Sequence, residues 1–331
     1  MRAFEYVRAA DVGQAVALVS ADRDAAYLAG GTTQLDLMKD GVLAPERLVD
    51  ISRLSLRGVV SRGEAVVIGA MTTMEEAATD PTIAERLPLV REALLLSASV
   101  QLRNMATMGG NLLQRTRCRY FRDPTVACNR RLRGSGCSAL AGHHRMHAIL
   151  ATSDHCIATH ASDVAVALVA LDAVVRTTGP GGERQIPLTQ LHLPPGETPD
   201  VETVLAHGEL ITGIEVPLPP RGARSGYLKV RDRASYEFAL ASAAVVLVMD
   251  RGVIVDARVG LGGVATVPWR AVAAEGVLRG AAATTAVFRT AADAALEGAV
   301  ARRDNAFKID LTKRTLVREL SILAEARDVE S

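Results

Sequence analysis

The sequence predicts an α+β protein of two consecutive units, and three features of the chain lead to that prediction. Short apolar strands alternate with amphipathic helices from the start, and a proline-rich break at 217–224 is followed by long apolar strands and then helices. Between them, residues 98–160 show little periodicity but many Gly, Arg and His. The first unit is expected over residues 1–220, in subdomains of about 1–55 and 56–220. The second, over 225–331, is expected to be an α/β domain with an antiparallel sheet and helices.

The elements follow in order. Residues 4–7 suit a strand, and Asp11 can cap a helix whose inner face is Val12, Ala15, Val16 and Val19. Residues 25–29 form a second strand, ended by Gly30-Gly31, after which Thr32-Thr33 can open a helix through Leu35, Leu37 and Met38. A strand over 47–51 and a hairpin over 59–68 continue the pattern, and Pro81 and Pro88 divide the helical stretch 72–97. Beyond the loop-rich middle, 163–171 reads as an apolar helix, and 173–177, 183–186 and 210–216 read as strands. The second unit shows strands over 226–231, 240–249 and 253–261, then helices over 270–278, 285–300 and 311–326.

Composition bounds the function. The 331 residues are 49% hydrophobic and 23% charged with a net charge of +1, which fits a globular protein and speaks against nucleic-acid binding through overall charge. No apolar run approaches a bilayer span, so no membrane insertion is expected. The opening Met1-Arg2-Ala3-Phe4-Glu5 lacks the apolar region of a secretory signal.

Two loops suit a diphosphate. In Gly30, Gly31, Thr32, Thr33 and Gln34 a strand runs into glycines and then hydroxyls at a helix start, which exposes backbone N–H groups; an ordinary tight turn with Thr as N-cap is the plainer reading. Thr107, Gly109, Gly110 and Asn111 repeat the arrangement and add an amide side chain. On residue type alone Asp163 is a helix N-cap, Lys229 a solvated charge, and Tyr236 and Phe238 core residues.

All four cysteines, Cys118, Cys128, Cys137 and Cys156, fall within 39 residues, which points to metal ligation before disulfides. Their C-x9-C-x8-C-x18-C spacing matches neither a zinc finger nor a bacterial ferredoxin run. Eight arginines lie between 115 and 145 against one acid, Asp123, a cation excess that an anionic thiolate cluster requires. Gly134, Gly136 and Gly142 would let the backbone wrap closely. A mixed zinc site with His143, His144, His147 or His155, a basic surface for a partner or polynucleotide, and merely buried cysteines remain open on these residues.

Together, Ala-Gly-Gly-Thr-Thr at 29–33, Thr-Met-Gly-Gly-Asn at 107–111, Ser-Asp-Val-Ala-Val-Ala-Leu at 162–168 and Gly-Tyr-Leu-Lys-Val-Arg at 226–231 carry a resemblance over nearly the whole chain. It is to the FAD-binding (medium) subunit of the xanthine dehydrogenase and molybdenum-containing aldehyde oxidoreductase family. The resemblance implies a two-subdomain FAD-binding domain of the molybdopterin dehydrogenase or vanillyl-alcohol-oxidase-like type. Gly30–Gln34 and Thr107–Asn111 would hold the pyrophosphate, Asp163 the ribityl or flavin side, and Lys229 would reach the flavin.

Arg-Thr-Arg-Cys at 115–118, Gly-Ser-Gly-Cys at 134–137 and His-Ala-Ile at 147–149 resemble the periplasmic aldehyde oxidoreductase branch of that family. There an inserted loop, about 115–157 here, binds a 4Fe–4S cluster, which makes the four cysteines its ligands. The implied role is electron transfer, with no catalytic residue in this chain. A large partner's molybdenum cofactor would oxidise an aldehyde or heterocycle, a small partner's 2Fe–2S clusters would pass electrons to FAD, and an external acceptor would take them. Isolated, the chain should not oxidise aldehydes, and the heterotrimer would be cytoplasmic, or periplasmic by co-export with a signal-bearing partner. The rival functions are a stand-alone FAD-dependent oxidase and a zinc-stabilised assembly or nucleic-acid-binding protein.

Overall fold

The computed structural model describes residues 1–326, so the last five residues of the expected 225–331 domain lie outside the described residues. The chain opens with β1 (Glu5–Arg8), α1 (Val12–Ser20), β2 (Ala25–Leu28), α2 (Gln34–Lys39) and β3 (Arg47–Asp50), whose strands form a parallel sheet in the order β1-β3-β2. Asp11 caps α1 by accepting from the Gln14 amide, and Ala15, Val16 and Val19 turn inward as their spacing requires.

Next come β4 (Val59–Arg62), β5 (Ala65–Gly69), α3 (Met74–Thr79), α4 (Pro81–Arg86) and α5 (Pro88–Leu95). Pro81 and Pro88 each open a helix, where the missing N–H has no intrahelical partner to lose. The loop-rich stretch holds only the short α6 (Val100–Arg103), α7 (Met108–Leu112) and α8 (Arg119–Arg122) before α9 (Asp163–Ala170). Then β6 (Val174–Gly179), β7 (Gly182–Pro187), α10 (Leu188–Leu191) and β8 (Leu210–Pro217) complete an antiparallel sheet in the order β4-β5-β8-β6-β7.

The second unit is an antiparallel sheet of β9 (Arg224–Val230), β10 (Ala241–Asp250), β11 (Val253–Gly262) and β12 (Trp269–Arg270), followed by α11 (Val272–Leu278), α12 (Thr285–Ala295) and α13 (Phe307–Glu325). Two helix boundaries differ from the sequence expectation by four residues or more. α12 stops at Ala295, just ahead of a turn in which Gly298 takes a φ of 75°. α13 begins at Phe307, and in its first turn Lys308 is fully buried and donates through Nζ to the Gly263 carbonyl at 2.7 Å.

All eight residues of α9 are buried, which is why it reads as apolar all round. Tyr227, Ala244 and Val246 of the second unit join the core around it, so the two units share one hydrophobic cluster. A Cβ on Gly260 would stand 2.5 Å from the Val166 carbonyl oxygen, so glycine is what lets β11 close on the helix. Ile149 and Leu150 of the loop-rich stretch enter the second unit's core and anchor the loop there.

Glu209, just before β8, accepts from Arg184 Nε at 2.6 Å, Arg184 Nη2 at 2.7 Å, Thr177 Oγ1 at 2.5 Å and Ala206 N at 2.9 Å. The Arg184 guanidinium first, then Thr177 and the Ala206 amide, outweigh burial and hold its carboxyl down at about 2 from the ordinary 4.5. Between those values the unfolded chain binds more protons than the folded one, so this stabilisation is lost as pH falls through the window. Thermal melts between pH 4.5 and pH 2 should show a flatter acid limb for Glu209→Gln than for wild type. Identical limbs would uncouple this carboxylate from unfolding.

Candidate functional site

Two glycine loops meet across a cleft. A Cβ on Gly30 would stand 1.8 Å from the Met105 carbonyl oxygen, so only glycine lets the loop after β2 touch the backbone leading to α7. Gly31 then takes a φ of 73° to turn into α2. Thr33 occupies the N-cap position, yet its hydroxyl makes no capping bond. On the opposite side Thr107 caps α7, its Oγ1 accepting from Gly110 N at 3.2 Å. Asn111 is already engaged: Ser162 Oγ donates to its Oδ1 at 2.5 Å, and its Nδ2 donates to Met74 Sδ at 3.2 Å.

Adjoining cavities of about 410 and 230 Å³ share Thr32, Thr33 and Gly110 in their walls and form one elongated cleft. Gly30, Gly31, Gln34, Thr107 and Gly109 line the smaller part; Asn111, Asp163 and Lys229 line the larger. The structure thus brings every residue singled out for the cofactor to one place.

Asp163 is not the N-cap. Ser162 takes that position, accepting from Ala165 N at 3.0 Å, and Asp163 begins the helix. Its carboxylate accepts from Lys229 Nζ at 2.8 Å, Tyr227 OH at 2.8 Å and Ser97 Oγ at 3.1 Å. Lys229 is not solvated either: its side chain is 1% exposed, and Nζ also donates to the Leu96 carbonyl at 3.0 Å. Tyr236 and Phe238, read as core residues, are exposed and line the cleft.

Sequence reasoning missed Arg117 and Arg122, which line the larger cavity. Arg122 Nη1 donates to Asp36 at 2.7 Å and Asp40 at 3.1 Å; Arg117 approaches Asp36 at 3.7 Å and lies 5.3 Å from the Phe238 ring centre. The only signal for either was proximity to Cys118.

The four cysteines are free thiols that line one small pocket, Cys128 and Cys156 buried and Cys118 and Cys137 half-buried. The backbone N–H of Ala158 donates to the Cys156 sulfur at 3.4 Å, and the nearby amides of Phe121 and Tyr120 favour the charged form of Cys118, as those of Ala139 and Leu140 favour that of Cys137. Burial pushes the Cys118 thiol up to about 12 and raises Cys137 as well. Of the histidines, His147 Nε2 lies 3.1 Å from Cys118 Sγ, and burial brings its imidazole down to about 4. His155 lines the pocket, while His144 pairs with Asp304. Among the described residues no three Cys, His, Asp or Glu side chains are disposed to hold a single metal ion.

The arginines depart from expectation. Arg130 pairs with Glu202 beside Cys156, but Arg115, Arg122, Arg133 and Arg145 are spent on Glu202, Asp36 with Asp40, Asp200 and Asp232. Arg131 holds the carbonyls of Tyr120, Phe121 and Val126.

Because the Asp163–Lys229 pair is buried on both sides, removing either partner strands the other. In denaturant titrations Asp163→Asn and Lys229→Met should each lose about 3–5 kcal/mol. Asp163→Asn should lose more, since Lys229 then keeps only a carbonyl while Asp163 would keep two hydroxyl donors. Losses under about 1 kcal/mol would show that the pair is not a structural tie.

The family described as the FAD binding domain in molybdopterin dehydrogenase matches residues 2–219, and that of the CO dehydrogenase flavoprotein C-terminal domain matches 226–321. The chain is 45% identical over 329 residues to the aldehyde oxidoreductase FAD-binding subunit PaoB of Escherichia coli K12, covering 99% of each. It is 32% identical over 281 residues to the carbon monoxide dehydrogenase medium chain of Afipia carboxidovorans, covering 84% of this chain and 81% of that one. A solved Cu,Mo-CO dehydrogenase chain superposes with a TM-score of 0.78 at 29% identity, over 98% of each chain. Quinoline 2-oxidoreductase from Pseudomonas putida 86 gives 0.76 at 25%, again over 98% of each. With both halves of the fold, the cleft and these matches in agreement, the chain belongs to the FAD-binding medium subunits of the molybdenum hydroxylase and CO dehydrogenase family, and is an oxidoreductase subunit.

Proposed function

We propose that the chain is a FAD- and 4Fe–4S-carrying electron-transfer subunit of an aldehyde-oxidising or heterocycle-oxidising molybdenum hydroxylase. Its partners are a large subunit with the molybdenum cofactor and a small one with 2Fe–2S clusters, and it delivers electrons to an external acceptor. The complex works in the cytoplasm, or in the periplasm after co-export with a signal-bearing partner. The observation that carries the reading is the small pocket lined by all four free thiols, beside the cofactor cleft.

Nearby backbone amides offset part of the burial cost of a thiolate at Cys118 and Cys137, and coordination to iron would supply the rest. Four thiols around one pocket suit the all-cysteine ligation of an iron–sulfur cluster. Cys118, Cys128, Cys137 and Cys156 would be its ligands, and such a cluster supplies one-electron exchange. FAD, when bound, exchanges electrons singly or in pairs. The glycine loops would present N–H groups to its pyrophosphate, and the Asp163–Lys229 pair would line the flavin side.

The purified chain should show flavin bands over a broad iron–sulfur absorption, with iron and sulfide present in analysis. A colourless protein containing zinc would sink the proposal. Cys137→Ser should lose iron and the broad band, keep the flavin bands, and slow turnover of the complex with one-electron acceptors. Unchanged turnover with every acceptor would remove the cluster from the electron path.

A further inference from the structure

We infer that Arg117 and Arg122, at the start of the cysteine loop, form a third wall of the cofactor cleft and bind the phosphate groups of the dinucleotide. The inference rests on the flavin reading above. Both side chains share the larger cavity with Thr32 and Thr33, whose loop reaches the smaller cavity. Arg122, 19% exposed, uses Nη1 on Asp36 and Asp40, while its Nε and Nη2 are buried without a hydrogen-bond partner. Arg117 leaves its Nε in the same condition.

Both guanidinium groups line the cavity with donor capacity that Asp36 and Asp40 do not use, which suits a ligand rich in acceptor oxygens. Asp36 lines the cavity too, but it is shared by both arginines and half exposed, so its charge is offset from the protein side. A phosphate or diphosphate has the matching chemistry, since its oxygens take the planar N–H fork of arginine in pairs. The glycine loops in the same cleft select the dinucleotide over a free anion as the source of that group. Neither arginine belongs to a glycine loop, so the cysteine segment would contribute to flavin retention as well as to metal binding.

The test uses the full chain stripped of flavin and titrated by fluorescence quenching with FAD and with riboflavin, which lacks phosphate. Circular dichroism checks that each variant folds. Arg117→Gln and Arg122→Gln should each weaken FAD about tenfold or more, as expected for a lost charge-assisted hydrogen bond, and leave riboflavin unchanged. Arg122→Lys should restore part of the loss. Inorganic pyrophosphate should displace FAD from wild type and compete less well in the variants. FAD affinity unchanged in both variants would overturn the inference. Equal weakening of FAD and riboflavin would also overturn it, by assigning the arginines a purely structural role through Asp36. Wild-type chain that takes up no flavin would overturn this inference together with the reading beneath it.

Discussion

The rest of the structure turns on the buried pair of Asp163 and Lys229. Asp163 begins α9 in the first unit, and Lys229 belongs to β9 in the second, so one ion pair fixes the register of the two units at the cleft. A charge pair this dry is stable only when its remaining hydrogen-bonding capacity is used, and here Ser97, Tyr227 and the Leu96 carbonyl use it. Burial beside the Asp163 carboxylate drives the Tyr227 hydroxyl well above its usual range, which keeps it a donor. The position of Asp163 in the first turn of α9 adds the favourable field of the helix N-terminus. The apolar surroundings of α9 and the close approach of Gly260 and Gly262 to Val166 then leave the second unit little room to shift.

The cysteine loop is held by a different economy of charge. Counted along the chain, its arginines form a large cation excess; counted in space, most are neutralised by acids from distant segments, among them Asp36, Asp200, Glu202 and Asp232. Electrostatic partners are set by tertiary distance, which a local tally of charges does not contain. The consequence is that charge on the sulfurs would be offset mainly by backbone amides and by Arg130, with the other arginines serving as ties between the loop and the body. Gly136, at a φ of 97°, and Gly142, where a Cβ would stand 2.1 Å from the Tyr120 hydroxyl, show why the loop needs residues without side chains to wrap so tightly.

What was legible in the sequence follows the same division between local and tertiary information. Strands and helices came from periodicity and caps, which are local, and so did the two glycine loops, whose function as turns is written in their residues. The errors cluster where a distant partner overrides residue type. Lys229 lies inside because Asp163 meets it. Tyr236 and Phe238 stand in a loop at the cleft wall, where no core surrounds them. Arg122 carried no sequence signal beyond its nearness to Cys118, because its role depends on α2 folding back beside α8.

The two candidate sites are joined rigidly, and that follows from how the loop is tied at both ends. Thr116 Oγ1 donates to the Thr159 carbonyl at 3.0 Å and closes its base, while Ile149 and Leu150 both donate to the Val264 carbonyl and fix its middle to the second unit. His192 Nε2 lies 2.8 Å from the Leu112 carbonyl of α7 and 3.3 Å from His160 Nε2, which adds a tie between the glycine loop and the strand of chain leaving Cys156. Burial lowers both imidazoles, so the tie is between neutral rings. Arg117 faces the cleft and Cys118, its neighbour in sequence, faces the thiol pocket, while both line a third cavity of about 580 Å³ between the sites. A single peptide bond therefore separates a residue of one site from a residue of the other. With both anchored, neither site can move far without the other, so a cluster bound at the thiols as proposed would keep a set distance from the flavin cleft.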